Sequence, residues 1–268
     1  MAAHGGRRVR RRALLLAVLL GGCSAYGDGM GDILAGKGIA AREPNYDVPY
    51  VPTPEPVVDA MLSIAGVGPA DTLIDLGSGD GRIPIAAARL GARASGVEID
   101  ATLVERARRN AALFGLQDRA RFTTANLFDT PLRDASVVTM YLLPRINLAL
   151  RPRLLTELRP GTRIVTHAFD MGEWRADAER LVGDRRVYLW IVPAVAGGTW
   201  RATLPDGRQV PLTLDQRFQD VTGTLDGTAL TGALRGTALR FAAGGRDYRG
   251  TVGEAAIIGE GWRAIRAE

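Results

Sequence analysis

The most regular hydrophobic pattern lies in residues 71–100. Residues 73–76 form a nearly continuous apolar run, which is typical of a strand covered on both faces of a parallel sheet. Apolar residues and alanines recur at helical spacing over residues 83–90, and a second apolar run over residues 94–97 ends at Glu98. The pattern predicts a strand, a loop, a helix and a second strand, which is the repeating unit of an α/β sheet.

The alternation of helix and strand patterns continues beyond this unit. The further predicted elements are a helix over residues 101–114, stopped by Gly115, and strands over residues 120–124, 135–142 and 163–166. The alternation therefore predicts an α/β domain.

The hydrophobic pattern changes from residue 195 to residue 268. Short runs of alternating polarity are separated by Asp-Gly and Gly-Gly turns, a pattern that favours hairpins. We predict a small antiparallel sheet or partly closed barrel of about seven short strands, and we expect Trp200 and Trp262 to pack together in its core.

The loop after the first predicted strand is rich in glycine. Its residues are Gly77, Ser78, Gly79, Asp80 and Gly81. Glycines suit a tight turn from strand to helix because they adopt positive φ angles and allow a ligand to approach the backbone. The spacing GxGxG differs from the dinucleotide fingerprint GxGxxG, whose third glycine has another position.

Two carboxylates flank this loop and indicate the charge of its ligand. Asp75 lies two positions before Gly77, where it would repel a diphosphate and suit a ligand with an ammonium and a sulfonium, such as S-adenosylmethionine (SAM). Glu98 follows Asp75 by 23 positions, close to the spacing at which an acid binds a ribose diol. Loop and acids together predict a SAM site, whereas a glycine loop alone would also fit a cofactor-free α/β protein.

At this point the chain resembles the class I SAM-dependent methyltransferases, and the resemblance implies a methyltransferase domain over residues 46–194. DLGSGDGR is similar to the first motif of that family, and VEID to its second strand. The resemblance implies a Rossmann-like, doubly wound α/β sheet with SAM as cofactor. The cofactor-binding residues that it implies are Asp75, Gly77, Ser78, Gly79, Asp80, Gly81, Glu98, Ile99, Asn126 and Leu127. Asn126 stands where the family often has an aspartate, and its side chain can still accept a hydrogen bond.

The acceptor side is expected at the end of the fourth strand, in the sequence Tyr-Leu-Leu-Pro at residues 141–144. This segment lacks the Asn/Asp-Pro-Pro-Tyr/Phe motif of many amino-group methyltransferases. It is more similar to the protein-lysine methyltransferases that modify the adenine nucleotide translocase and the ATP synthase c-ring, which share a segment like Tyr50–Thr53. The resemblance implies Tyr141 and Pro144 as catalytic residues, while Tyr141 would also fit as an aromatic cap of a core strand. Tyr50 and Thr53 would lie near the cofactor as a lid or as a linker.

Histidine and cysteine are too scarce for several other chemistries. The chain has two histidines and one cysteine, which excludes Cys/His zinc sites and structural disulfides, and no metal site is predicted. His167 follows the fifth predicted strand, where a base near the acceptor is conceivable.

The N-terminus resembles a bacterial lipoprotein signal peptide over residues 1–22. Five arginines within residues 7–12 precede an apolar segment over residues 13–20, and small residues then lead to Cys23. We expect Cys23 to be lipidated, residues 23–45 to form a tether, and the protein to lie in the cell envelope on the periplasmic side of a membrane. The alternatives are a short uncleaved anchor or a wrongly assigned start codon. Export conflicts with a cytoplasmic supply of SAM, unless the folded protein is exported with its ligand.

The charge of the chain gives no sign of a nucleic-acid partner. The formal net charge is +5, and the segment expected to be removed contains five arginines and no acid, so the remaining chain is near neutral. The function predicted from the sequence is methyl transfer to an amino group of a protein lysine, with a small-molecule acceptor as a variant. The alternative is a non-catalytic lipoprotein in which the SAM fold serves as a binding or scaffolding module. The oligomeric state is not predicted.

Overall fold

The computed structural model describes residues 50–267. The predicted signal peptide, Cys23, the tether and the first four residues of the predicted α/β domain lie outside the described residues. Within residues 50–267, no helix is both long enough and apolar enough to cross a bilayer.

An α/β sheet of seven strands forms the N-terminal part of the described chain. Its helices are α1 (Glu55–Ala65), α2 (Arg82–Arg89), α3 (Ala101–Leu113) and α4 (Pro144–Glu157). Its strands are β1 (Thr72–Leu76), β2 (Arg93–Glu98), β3 (Ala120–Thr124), β4 (Val137–Met140), β5 (Arg163–His167), β6 (Ala178–Val182) and β7 (Arg185–Ile191). The order is β3-β2-β1-β4-β5-β7-β6, with β1 to β5 parallel and β7 antiparallel to both β5 and β6.

Both faces of this sheet are covered by helices. Leu73 of β1 packs with α1 on one face, while its neighbour Ile74 packs with α4 on the other, because successive side chains of a strand point to opposite faces. The Rossmann-like, doubly wound sheet predicted from the sequence is thereby confirmed. In such a sheet the carboxyl ends of the strands form the edge at which ligands bind.

Eight antiparallel strands follow and close into a barrel. They are β8 (Gly198–Thr203), β9 (Gln209–Arg217), β10 (Asp220–Leu225), β11 (Thr228–Arg235), β12 (Ala238–Ala243), β13 (Arg246–Val252), β14 (Ala256–Gly259) and β15 (Arg263–Arg266). Pairing of β15 with β8 and of β9 with β10 completes the closure. The predicted antiparallel module is confirmed, but the estimate of seven strands was wrong.

The two tryptophans of the barrel share one core, although their neighbours differ. Trp262 packs its ring against Phe241 and Tyr248, at centroid distances of 5.6 and 5.9 Å. Trp200 donates its indole N–H to the carbonyl of Ala196 at 2.9 Å. Both are buried in the barrel core, as predicted.

Most predicted bounds in the α/β sheet agree with the structure within a residue, and β4 is the exception. The predicted strand covered residues 135–142, whereas β4 ends at Met140. Met140 is the last residue of β4 that pairs with β1 and β5, at Leu76 and Thr166. The apolar residues that follow continue the hydrophobic pattern without a strand partner.

Candidate active site

The glycine loop joins the end of β1 to the start of α2. Gly77, Gly79 and Gly81 have φ angles of 78°, 53° and 82°, which lie in the left-handed region that favours glycine. A Cβ at Gly79 would lie 2.4 Å from the Tyr50 ring, and one at Gly81 would lie 2.6 Å from the Phe122 ring. The loop therefore depends on glycine for its backbone conformation and for its close packing.

Asp75 lies in β1, two residues before the glycine loop. Its side chain is only 2% exposed, and it accepts a hydrogen bond of 2.7 Å from the Thr139 hydroxyl of β4. Burial raises the pKa of Asp75 to about 7; the Thr139 hydrogen bond opposes this shift, and the charges of Glu98 and Asp80 add to it. A buried carboxyl group of this kind is stabilised in its charged form by a cation.

Glu98, at the end of β2, holds the loop from the other side. One carboxylate oxygen accepts a hydrogen bond from the Gly79 amide at 3.0 Å, and the other accepts from the amides of Ile99 and Asp100 at 2.8 and 3.1 Å. A carboxylate has about four acceptor positions, so Glu98 retains capacity for a hydroxyl donor. Ile99 is 67% exposed and offers an apolar surface beside this acid.

The carboxylate of Asp80 forms an ion pair within the protein. Its carboxylate binds the guanidinium of Arg82 at 2.7 Å, and Arg82 also donates to the carbonyl of Thr53 at 2.8 Å. Burial alone would raise the pKa of Asp80, but the hydrogen bonds and charge of Arg82 outweigh it and lower the pKa. Asp80 therefore ties the segment before α1 to the glycine loop.

The residues after β3 form a short turn. Asn126 is exposed, and its side-chain oxygen accepts a hydrogen bond from the Phe128 amide at 2.9 Å, which caps the 3-10 turn Leu127–Asp129. Leu127 packs partly against the core, and Arg153 of α4 donates to its carbonyl at 3.4 Å. The second lone pair of the Asn126 oxygen remains available for another donor.

Three side chains from distant parts of the sequence meet at the ends of β4 and β5. The rings of Tyr141 and His167 lie 3.9 Å apart between centroids. The Thr53 hydroxyl hydrogen-bonds Nδ1 of His167 at 3.2 Å. Phe169 stacks on the other side of this group, with its ring centroid 6.4 Å from that of Tyr141. The arrangement is an uncharged aromatic surface at the ligand-binding edge of the sheet, in which Tyr141 and Phe169 are partly exposed and His167 is buried against Tyr141.

His167 is fully buried, and its Nε2 atom has no hydrogen-bond partner among residues 50–267. Burial, with a smaller contribution from the charge of Arg185, lowers the pKa of His167 to about 4. The imidazole is therefore neutral at physiological pH.

The predicted site residues form two groups along one edge. Those on the loop and at the ends of β1 and β2 surround the glycines, while Tyr141 lies with His167 at the ends of β4 and β5. Leu142 links the two groups, because a Cβ at Gly77 would lie 2.7 Å from its side chain.

Two further predicted site residues have other surroundings. Ser78 is buried beside Gly96 of β2, and Pro144 is exposed as the first residue of α4. Proline is common at this position because a helix leaves the first N–H groups unpaired, so Pro144 has a structural explanation.

Two residues of this region were absent from the predicted site. Thr139 is the one polar residue of β4, whose four residues are all buried. A polar residue within an apolar strand is the sequence signal that could have identified it. Arg82 follows the glycine loop directly, but the sequence alone does not show that it reaches back to Thr53. Among the described residues, no cluster of histidine, cysteine and acidic side chains could hold a metal ion.

Comparisons with known proteins agree with this geometry. A family model described as the ANTKMT methyltransferase domain matches residues 75–178. A protein-lysine N-methyltransferase of Saccharolobus islandicus strain REY15A is 43% identical over 151 residues, which cover 54% of this chain and 94% of that protein. The chain belongs to the SAM-dependent methyltransferases. SAM is the cofactor of this methyltransferase, and the comparisons favour an enzyme over a non-catalytic scaffold.

Two further proteins are similar to about half of this chain. The adenine nucleotide translocase lysine N-methyltransferase of mouse is 35% identical over 146 residues, 54% of this chain and 63% of that protein. A solved RNA methyltransferase from Salinibacter ruber, in complex with S-adenosyl-L-homocysteine, is 51% identical with a TM-score of 0.53, over 53% of this chain and 94% of that chain.

The residues at the ends of β1 and β2 fit SAM. Asp75 is a buried carboxyl group that an ammonium would stabilise in its charged form. The positive φ angles of the loop glycines give the tight turn that follows it. Glu98 has capacity for ribose hydroxyls, and Ile99 offers a flat apolar contact for a base. The assignment of these individual residues to SAM stays a prediction.

Proposed function

We propose that this methyltransferase transfers a methyl group to the side-chain amine of a protein lysine. The observation that carries the proposal is the contact of Tyr141 with a neutral and fully buried His167 at the acceptor edge. An amine attacks only in its neutral form, and desolvated surroundings without charge disfavour the ammonium of a lysine, whose ordinary pKa is about 10.4. The relatives named as protein-lysine methyltransferases support this acceptor.

Methyl transfer depends more on how the protein positions the donor and the amine than on an acidic or basic side chain. SAM supplies a methyl group on a positively charged sulfur, and transfer is an in-line displacement that depends on near-attack geometry. Asp75 would hold the ammonium end of SAM, and Glu98 would hold its ribose. Tyr141 would align the incoming amine, and the proton that the amine loses would pass to water.

We also propose that the protein is anchored in the cell envelope through a lipid on Cys23, with the methyltransferase on the periplasmic side. The support is the sequence of residues 1–23, with its arginines, apolar segment and small residues before the cysteine. Metabolic labelling with a radioactive fatty acid tests this proposal. We expect label and membrane association in the native chain, and loss of both after Cys23→Ala. An unlabelled native chain in the soluble fraction would contradict it.

A second acceptor, RNA, is favoured by one observation, the printed description of the Salinibacter ruber structure. Against it, the net charge of +5 equals the charge of the five arginines in residues 7–12, so the rest of the chain has no net positive charge to attract a polyanion. We therefore favour protein over RNA.

Methyl transfer from radiolabelled SAM to an envelope extract distinguishes the acceptors. We expect protease-sensitive label on protein, with mass spectrometry placing the added methyl on lysine ε-nitrogen, and we expect Asp75→Ala to abolish it. Label removed by ribonuclease would establish RNA as acceptor. Label in neither polymer, but in a small extractable compound, would overturn the protein-lysine proposal.

A further inference from the structure

The turn between β9 and β10 of the barrel contacts α4 and the loop that follows β5. Phe218 at this turn stacks on Trp174 with ring centroids 6.0 Å apart and an interplanar angle of 13°. The guanidinium of Arg151 in α4 lies 5.3 Å from the centroid of the Phe218 ring. Phe218 has a φ of 55°, which is unfavourable for a bulky residue, so the surrounding contacts hold this turn in place.

Polar contacts add to the aromatic one. Gln219 is buried and donates a hydrogen bond of 2.7 Å to the carbonyl of Arg175. Two ion pairs flank it, from Arg217 to Glu173 at 2.9 Å and from Arg175 to Asp220 at 3.1 Å. Both ion pairs are exposed and contribute little, whereas a buried hydrogen bond is costly to break. The buried contacts of Phe218 and Gln219 therefore determine how the turn docks.

The segment that receives this turn is the acceptor loop, residues 168–177, which joins β5 to β6. It begins directly after His167, and Ala168 has a φ of 68°. Near its start, the Phe169 carbonyl accepts hydrogen bonds from the Thr166 hydroxyl at 2.5 Å and from the Asn147 amide at 3.2 Å. This end of the acceptor loop places the Phe169 ring beside Tyr141.

The other end of the acceptor loop is fixed by Trp174. Its ring packs on Trp190 of β7 at 6.1 Å, and its carbonyl accepts the Trp190 indole N–H at 2.8 Å. Arg151 donates to the Met171 carbonyl at 2.8 Å while lying over the Phe218 ring, so it contacts the loop and the barrel turn together. Only four residues separate Phe169 from Trp174, so a shift of one is transmitted to the other.

We propose that the β9–β10 turn of the barrel positions the acceptor loop, and through it the aromatic surface of Tyr141, His167 and Phe169. Phe218 and Gln219 are positioning residues in this arrangement, since they touch neither that surface nor the glycine loop. The barrel is then required for use of the methyl acceptor and dispensable for binding of the cofactor. The inference rests on the proposed function, because it concerns the acceptor side of that same site.

The test compares full-length Phe218→Ala with Asp226→Ala. Asp226 has a φ of 51° in the turn between β10 and β11, at the opposite end of β10, and serves as the matched control for damage to the barrel. Three quantities are measured: hydrogen exchange of the amides in residues 168–177, the Kd for S-adenosylhomocysteine, and kcat and KM for methyl transfer to poly-L-lysine.

We expect Phe218→Ala to accelerate exchange in the acceptor loop by about tenfold and to lower kcat/KM for poly-L-lysine by about tenfold, with the cofactor Kd within about twofold. Asp226→Ala should change none of the three. Unchanged exchange in residues 168–177 overturns the inference, as does cofactor binding that weakens as much as transfer. If Phe218→Ala does not fold, Phe218→Leu and Gln219→Ala are used with the same criteria.

The two proposals fail in different ways. A native protein that transfers no methyl to poly-L-lysine counts against a lysine acceptor, while the exchange measurement still decides whether the turn positions the loop. Restoration of kcat/KM by Phe218→Tyr, which keeps an aromatic ring, would separate positioning by the ring from a general loss of stability.

Discussion

The two sides of the binding edge are built in opposite ways. On the cofactor side, two carboxylates flank a glycine turn: Asp75 and Glu98 lie at the ends of neighbouring strands, on either side of the loop Gly77–Gly81. On the acceptor side, the partly exposed Tyr141 packs on the buried, neutral His167 and no charged group takes part in this contact. A cationic cofactor needs fixed negative charge, whereas a nucleophilic amine needs surroundings that keep it neutral. One edge of one sheet thus provides both environments, the cofactor side at the ends of β1 and β2 and the acceptor side at the ends of β4 and β5.

The largest expected effect concerns the charge on the cofactor side. Asp75→Asn should weaken SAM binding at least about 100-fold, because removing one partner of a buried ion pair costs about 3–5 kcal/mol. Titration calorimetry measures the change. Asp100→Asn is the matched control, since Asp100 lies nearby but caps α3 through the Thr102 amide at 2.7 Å. Equal loss in both variants would mean that general charge, and not this buried carboxylate, attracts the cofactor.

The same carboxyl group gives a dependence on pH. Because the pKa of Asp75 is raised to about 7 in the ligand-free protein, its contribution to stability is complete below pH 3.8 and is lost as pH rises through 7. Ligand-free Asp75→Asn should therefore be more stable than the native protein at pH 8, although it binds SAM poorly. SAM affinity of the native protein should rise between pH 5 and pH 7, because binding requires the carboxylate.

The acceptor side gives the opposite dependence on pH. Burial lowers the pKa of His167 to about 4 from an unfolded value of 6.5, so its stability contribution is present above pH 6.5 and is lost as pH falls through 4. Between pH 7 and pH 4 the native protein should lose about 2–3 kcal/mol more stability than His167→Gln, measured by chemical denaturation. NMR titration of His167 with a midpoint near 6.5 would contradict the buried, neutral imidazole.

The difference between the two sides also explains what the sequence could predict. The cofactor side is local, since Asp75, the glycines and Glu98 lie within 24 consecutive residues and follow a recognisable order of strand, loop and strand. On the acceptor side, Thr53 contacts His167 across 114 positions of the chain, and no short sequence motif predicts a contact between residues so far apart. Sequence reasoning placed Tyr141 at this edge but left open whether Thr53 was a linker or part of the site.

The barrel shows the same limit at the level of the fold. Alternating polarity and glycine turns predicted antiparallel strands, but about seven were expected and the barrel has eight. Within β10, Gly223 has a φ of 149°, and a Cβ there would lie 1.9 Å from the Thr213 carbonyl oxygen of β9. Because the backbones of β9 and β10 approach each other closely at this point, only glycine fits inside the strand. In the sequence, a glycine at such a position resembles a turn signal. Closure depends on pairing of β15 with β8, which is distant in sequence.

A smaller effect is expected from the ring that lines the acceptor side. Tyr141→Phe should lower kcat for a lysine acceptor by about tenfold, because the hydroxyl that aligns the amine is lost, while SAM affinity stays within about twofold. Steady-state kinetics and calorimetry measure the two quantities. An unchanged kcat in Tyr141→Phe together with a large loss in Tyr141→Ala would reduce Tyr141 to an aromatic cap of the strand end.

The smallest effect concerns the link between the two sides. Thr53→Val keeps the shape of the side chain but leaves Nδ1 of His167 without its hydrogen-bond partner, which should lower the free energy of unfolding by about 1 kcal/mol. Thr53→Ser retains the hydroxyl and should remain close to the native protein. Thermal unfolding of both variants, with and without S-adenosylhomocysteine, provides the measurement. Because the Thr53 carbonyl also accepts from Arg82 beside the glycine loop, ligand should stabilise Thr53→Val less than Thr53→Ser if the segment couples the two sides. Equal stabilisation would show that the cofactor side and the acceptor side are independent.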